Sequence, residues 1–551
     1  MESRLEKFCA RTVKFILKLE SLIKSEDGIR IGFKIIIGLI IFASFFYVAF
    51  AGIDPDLGWH LKIGEWIYAN KQVPHFDQFT HTMPGHRWVA HEWLIEVFFW
   101  LAIKNNLWWM MCVFFALFAF LPFFLWLKRA KSISAILYIL LAATVMTGIV
   151  GVRPQILSFT FFFLCFEILF LRFWRLSKPG NRKLFYLGTP LLFFVWANLH
   201  AGFIAGLALF ILLFFIDLVW PKQAGGDLLG DKRKKISNLA VLLVSIGVTF
   251  INPYGFEIYQ EIFRLVSSSE VAKYIVECLP FFYFNSLDMS FLIGISLFFI
   301  LREVKRYQLN FLAAAIFFTA SFLKSFRMMP MFLVTIMPLI FSGIQRAGKE
   351  ILKARKDNPF SLKGQCAIKI VGAIIFLSVF AMLGFRLVNF WPFKYPDDAI
   401  VFLKKYNQEK KINYIFNDFG WGGYLIWKAP EIKLFIDGRM PQWRADIGKS
   451  AMSDYIKVSY FESKDDWQEV FARRKVDLVF IRNDAPSLQD GGFLKKYLPE
   501  KIEEYLVERN YDKLLLNLFG IKKNPSLKES LVQNGWQIIY QDGLAVILKK
   551  P

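Results

Sequence analysis

Five of the chain's six histidines stand between Asp54 and Trp93, in the stretch DPDLGWHLKIGEWIYANKQVPHFDQFTHTMPGHRWVAHEW. It opens on Asp54-Pro55-Asp56, directly after the first long apolar run. A carboxylate leaving a membrane helix into a water-poor cleft has a raised pKa and can take a proton as a general base. Two carboxylates at i and i+2, with His60 close behind, can alternatively hold a divalent cation such as magnesium or manganese. The plainer role is that Asp and Pro end the helix. The histidines do not form the HExxH pattern of a helical zinc site, and His81, His86 and His91 are five apart, on different faces of any helix.

A second group consists of cations beside the ends of apolar runs: Arg153 in GVRPQ, His200 in ANLHAG, and Lys324 and Arg327 in LKSFRMMP. Arginine matches a phosphate bidentately where water is scarce, and charges next to membrane spans suggest function. Snorkelling toward lipid headgroups is the structural alternative.

The elements that position these groups are mostly membrane helices. The chain has 551 residues, of which 56% are hydrophobic and 18% aromatic. Eleven apolar runs lie near 31–52, 107–127, 133–151, 155–171, 185–200, 202–220, 237–252, 290–301, 308–323, 328–344 and 367–386. Runs of this kind cross about 30 Å of hydrocarbon as helices. The piece 93–103 is read as lying in the outer interface; counting it as a span moves the Arg172–Lys183 cluster outside. The formal charge of +22 is concentrated in short Lys/Arg clusters between runs. That placement marks inner loops and argues against nucleic acid as a partner. Residues 1–30 read as a basic, amphipathic cytoplasmic segment without a cleavage pattern, so the first span is expected to stay as an anchor. The five cysteines show no CxxC spacing and none lies beyond Cys366, so no disulfide is expected after it.

Within the first outer loop, 53–106, residues 56–74 have amphipathic helical spacing. Leu57, Leu61, Gly64 and Ile67 share a face, and Trp59 and Trp66 are expected at headgroup level. Lys62, off that face, is a candidate for substrate binding. Residues 31–391 thus read as the membrane domain and 392–551 as an outer α/β domain. Strand-like INYIFND, KLFIDGR, VDLVFIR and LAVILKK there alternate with helical DDAIVFLKKYNQEKK and PEKIEEYLVERNYDKLLLN. Its Gly-rich motif at 417–427 and the Asp437-Gly438-Arg439 turn suit either close backbone approach to a ligand or a tight turn with an internal salt bridge.

An acidic span end, an in-plane helix and a return through His91-Glu92-Trp93-Leu94 resemble the GT-C superfamily of membrane glycosyltransferases, in particular the protein-mannose and lipid A aminoarabinose transferase types. Asp54 and Asp56 match the family's acidic position, PHFDQFT its middle, and His91 to Leu94 its closing motif, where the family usually has Pro-Pro in place of Glu92-Trp93. The resemblance covers 31–105 well and the many-span core in general terms. It implies a polytopic α-helical membrane fold in the cell inner membrane, with a polyprenyl-phosphate-linked sugar as donor and a glycan, lipid or protein as acceptor. It further implies catalysis by Asp54 or Asp56, with Arg153, Arg327, His200, His91 and Glu92 as substrate-binding candidates and Asp54, Asp56 and His60 as a possible metal set. Two other classes compete. A lipid-linked glycan flippase predicts charges along a bilayer path and repeated halves, and a non-catalytic anchor needs no acidic first loop.

Overall fold

Hydrophobic periodicity without polar interruption leaves the chain little choice but helix in a membrane, where backbone groups must be satisfied internally. The computed structural model describes residues 26–173, 183–220, 232–284, 286–304, 308–357, 362–390, 392–444, 450–459, 466–483 and 526–551. Every one of the eleven apolar runs falls on a helix among the described residues. In chain order, α1 is Glu26–Ala51; α2 (Leu57–Asn70) and α3 (Trp93–Lys104) lie in the loop that follows; then come α4 (Trp108–Arg129), α5 (Ile133–Met146), α6 (Pro154–Phe173), α7 (Thr189–Leu199), α8 (Phe203–Val219) and α9 (Lys232–Val248). Two helices without membrane character, α10 (Glu257–Ser267) and α11 (Ser269–Tyr274), precede α12 (Leu287–Glu303), α13 (Leu309–Lys324), α14 (Met329–Asp357) and α15 (Leu362–Val388).

Three of the described helices, Arg30–Ala51, Trp108–Arg129 and Phe326–Ile351, are long and apolar enough to cross a membrane by themselves, and most of the other apolar ones are shorter. Their apolar side chains divide into two faces. On α1, Ile37, Ile41 and Phe45 are buried against the bundle, whereas Ile35 and Leu39 are more than half exposed, as expected of a lipid-facing stripe. Phe45 and Phe42 meet Phe123 and Phe120 of α4 edge-on. Basic residues gather at the end of the bundle away from the 52–106 loop: Arg30 donates to the Lys131 carbonyl and Lys34 to that of Lys128.

After α15 the chain forms α16 (Asp397–Lys410), β1 (Ile415–Asn417), α17 (Gly422–Lys428), α18 (Ala451–Ser459), α19 (Asp466–Arg474), β2 (Leu478–Arg482), α20 (Leu527–Gln533), β3 (Gln537–Gln541) and β4 (Ala545–Lys549). The sheet order is β1-β2-β4-β3, with β1 parallel to β2 and the other two pairings antiparallel. β2 and β4 are buried through consecutive residues, so they read as unbroken apolar runs. The expected strand in KLFIDGR does not join this sheet. Leu434 pairs instead with Thr80 of the first loop, its N–H donating to the Phe79 carbonyl (2.9 Å) while its own carbonyl accepts from His81 N–H (2.9 Å). The apolar alternation was a true sign of burial, but the partner backbone comes from more than 350 residues away in sequence. The helical pattern expected at 499–517 lies outside the described residues.

Candidate active site

Asp54 and Asp56 occupy the short turn between α1 and α2. The Asp54 carboxylate accepts the Asp56 backbone N–H (2.9 Å) and lies 2.6 Å from Arg153 Nε. Arg153, on the turn before α6, also pairs with Glu277, and Glu277 lies 4.0 Å from Arg327 Nε. Five charged groups from four separate loops therefore meet at one end of the bundle. Burial works against the Arg153 charge, but the carboxylates of Asp54 and Glu277 outweigh it and hold the guanidinium firmly protonated. Burial likewise pushes Glu277 up, and Arg153 and Arg327 more than offset it, leaving it ionised. Asp54 is raised by burial despite Arg153. Asp56 is pushed up to about 7, by burial first and by the Asp54 charge second.

Asp56 is enclosed from the C-terminal side. Its Oδ1 accepts the Trp59 indole N–H at 3.1 Å, and the Gly438 backbone lies so close that a Cβ there would strike the carboxylate. A Cβ at Gly423 would collide with the Pro55 carbonyl, and one at Gly58 with the Gly423 carbonyl. The glycines of the 417–427 motif thus permit backbone-on-backbone packing over the acidic turn. Trp59, expected at headgroup level, is instead 7% exposed. Its indole serves Asp56 and its ring lies against His60, with centroids 3.6 Å apart.

The seam is locked by Arg439. Its guanidinium donates to Asp437 (2.7 and 2.8 Å) and to Asp77 of the first loop (2.9 Å), and lies over Phe79, Trp88 and Trp443. All three ion-pair members are buried. Asp77 is held in turn by Thr80 N–H (3.0 Å) and its hydroxyl (2.6 Å). The internal Asp437–Arg439 pair is present and extends to a third residue that neither local motif announces.

One turn along α2, His60 leaves the Asp54–Asp56 cluster. Its Nδ1 is 3.0 Å from Glu96 and its Nε2 3.5 Å from Glu92. Glu92 also receives His200 Nε2 at 3.3 Å and His91 Nε2 at 3.8 Å. His200 Nδ1 accepts the Gly202 backbone N–H (2.9 Å) and lies 2.6 Å from the Ser158 hydroxyl. A backbone amide can only donate, so the neutral ring carries its proton on Nε2. Burial pushes Glu92 up to about 8, partly countered by Arg327, and burial pushes His91 down to about 4.

The structure therefore brings Asp54, Asp56, Arg153 and Arg327 together, and places Glu92, His91, His200 and His60 in a neighbouring cluster. Lys62 joins neither of these sets of contacts; it pairs with Glu65 at 2.6 Å on a half-exposed stretch of α2. The suggested metal set of Asp54, Asp56 and His60 is divided: among the described residues, the trio with metal-ligand spacing is His60, Glu92 and Glu96. Sequence reading passed over Glu96 and Glu277. A lone acid within the apolar WLIEVFFWLAI was a usable signal for Glu96, whereas nothing local marks Glu277.

No protein-family model matches the sequence, and no curated protein matches it either. Solved structures do. The oligosaccharyltransferase of Archaeoglobus fulgidus tethered to an acceptor peptide aligns with TM-score 0.54 and 13% identity, over 84% of this chain and 69% of its own. The AglB oligosaccharyltransferase of the same organism, solved with an inhibitory peptide and a dolichol-phosphate, gives 0.52 and 11%, over 82% and 69%. ArnT from Cupriavidus metallidurans, bound to undecaprenyl phosphate, is covered over 98% of its length and 95% of this chain, at 12% identity and TM-score 0.47. The two archaeal structures are enough to assign the architecture: the chain shares the fold of these oligosaccharyltransferases, with its apolar runs as the helices of a polytopic membrane protein.

Proposed function

We propose that the protein transfers a sugar from a polyprenyl-phosphate donor to a hydroxyl acceptor at the extracytoplasmic face of the cell inner membrane. The observation that carries this reading is the convergence of Asp54, Asp56, Arg153, Glu277 and Arg327 beneath the C-terminal glycines. AglB, whose fold the chain shares, was captured with a dolichol-phosphate, which supports a lipid phosphate as donor here. The clustering of Arg30, Lys34, Lys128 and Lys131 at the opposite end supports that end as cytoplasmic.

In this scheme Asp56 takes the acceptor proton while the acceptor oxygen bonds to the anomeric carbon and the bond from that carbon to the phosphate oxygen breaks. A base near pH 7 is suited to that task. Configuration inverts, because a single displacement occurs. Arg327 is the freer guanidinium, about a third exposed, and meets the departing phosphate. Arg153 pairs with Asp54, opposing the effect of burial on it, and adds to the positive field. A divalent ion is not placed at this centre. Arg153 takes up Asp54, Trp59 and the Gly438 backbone cover Asp56 Oδ1 and leave only its second oxygen for the acceptor, and His60 is drawn to the glutamates. The Archaeoglobus oligosaccharyltransferase has been solved with zinc and sulfate, but these residues do not fit an ion among them, and no step uses one.

The test is native mass spectrometry of detergent-purified protein, alone and with added polyprenyl phosphate. Retention of the lipid phosphate by wild type and its loss in Arg327→Gln supports the scheme. Retention of bulk phospholipid alone would overturn it and leave an anchor as the better reading.

A further inference from the structure

We infer that His60, Glu92 and Glu96 bind one divalent first-row transition-metal ion, best matched by zinc(II), which ties α2 to α3. One ligand atom from each residue lies within 4.8 Å of the others. His60 meets the two glutamates through different ring nitrogens, Nδ1 at 3.0 Å from Glu96 and Nε2 at 3.5 Å from Glu92; one of them ligates, and each of these separations is near the roughly 3.3 Å between ligands on a tetrahedral ion with bonds of about 2.0–2.1 Å. One imidazole and two carboxylates form a borderline donor set, which favours zinc over magnesium.

The electrostatics require something more than the protein shows. Glu96 is fully buried, and Glu92 and His60 are at most 5% exposed. Among the described residues neither glutamate has a Lys or Arg within 4 Å; their ion-pair partners are histidines. Glu96 Oε2 is buried with no hydrogen-bond partner. A buried carboxylate oxygen left without a donor is costly. A dication shared by two carboxylates and a neutral imidazole is a charge-neutral unit, the form that a low-dielectric site tolerates.

The surroundings resemble an outer ligand shell. His200 Nε2 lies 3.3 Å from Glu92, and its ring is fixed by Gly202 N–H and Ser158, itself bonded by the Trp196 indole (2.7 Å). Such supports orient ligating carboxylates. A Cβ at Gly64 of α2 would strike the Glu96 carbonyl, so the two helices touch at backbone distance beside the site, and an ion there would cross-link a junction already built for close contact.

The experiment uses full-length protein in detergent, stripped with chelator and offered zinc(II), manganese(II) or magnesium(II) separately, with bound metal and melting temperature measured after desalting. The expected result is about one zinc per chain and a higher melting temperature, because an ion that binds only the folded state stabilises it. His60→Gln/Glu96→Gln is expected to lower zinc content at least about tenfold, and Asp56→Asn to retain it. If the double variant does not fold, cobalt(II) in the wild-type protein supplies the readout through its ligand-field absorption. Substoichiometric zinc in wild type without a melting shift would show that the cluster shares protons instead. Unchanged zinc in a folded double variant, or its loss in Asp56→Asn, would equally overturn the assignment.

Discussion

Two acidic clusters, Asp54–Asp56 before α2 and Glu92–Glu96 at the start of α3, are neighbours through His60, and they are neutralised differently. Around Asp54 and Asp56 the compensating groups are guanidinium ions, Arg153 and Arg327, borne on loops and partly exposed. Around Glu92 and Glu96 they are imidazoles, held in a dry interior. Guanidinium is charged at every accessible pH and exchanges carboxylate partners for a phosphate readily. Imidazole is neutral when buried and leaves its carboxylates in need of a proton or an ion. The first arrangement suits turnover and the second suits holding something in place.

The sharpest way to break that distinction is substitution of Asp56. Asp56→Asn is expected to lower sugar transfer about 10²–10⁴-fold, the range a general base contributes, without loss of folded protein by size-exclusion chromatography. A variant that retains full turnover would remove Asp56 from the chemistry.

Next in size is the seam that holds the C-terminal region over the acidic turn. Arg439→Ala leaves Asp77 and Asp437 buried without their cation, a loss of about 3–5 kcal/mol for a broken buried pair. The melting temperature is expected to fall and the C-terminal region to become protease-sensitive. Gly423→Ala acts on the same junction by steric clash with Pro55 and is expected to cost about 1–3 kcal/mol. If Arg439→Ala melts like wild type, the seam is not what holds the C-terminal region over the acidic turn.

The helices were legible because membrane burial writes an unambiguous pattern: each apolar run became a helix, and the Asp54–Asp56 turn sits where the first ends. Helix Asp397–Lys410 and strands Ile415–Asn417 and Leu478–Arg482 were legible for the same local reason. What escaped was set by distant partners. No spacing rule pairs Leu434 with Thr80, Arg439 with Asp77, or Glu277 with Arg153, because each contact joins segments more than 100 residues apart. Trp59 was misplaced because an amphipathic pattern shows which face is apolar, not whether lipid or protein covers it.

A smaller effect is expected from pH. Transfer should fall as pH drops below about 7, up to about tenfold per unit, as Asp56 takes up its proton. The stability sign is opposite to that of a salt-bridged aspartate. From its ordinary 3.8 up to about 7, the folded protein keeps a proton that the unfolded chain has released. Stability therefore declines as pH rises through that window and levels off above it. Asp56→Asn removes the decline, so its melting temperature is expected to exceed that of wild type at pH 8 and to match it more closely at pH 4. A parallel pH profile for variant and wild type would show that Asp56 does not titrate in this range.

Lys62 supplies the smallest expected effect and the cleanest control on the boundary of the first cluster. Its pairing with Glu65 is an i,i+3 contact on a half-exposed surface, the kind worth about 0.2–0.5 kcal/mol. Lys62→Ala is therefore expected to change both melting temperature and polyprenyl-phosphate retention little, within about twofold for binding. The chain does place a positive charge on the same helix as Trp59 and His60, close enough in sequence for a bound headgroup to draw it away from Glu65. A loss of lipid phosphate as large as that expected for Arg327→Gln would show that this exchange occurs. The guanidinium cluster would then be only part of the phosphate site, and its contrast with the imidazole cluster would extend along α2 to a lysine paired with Glu65.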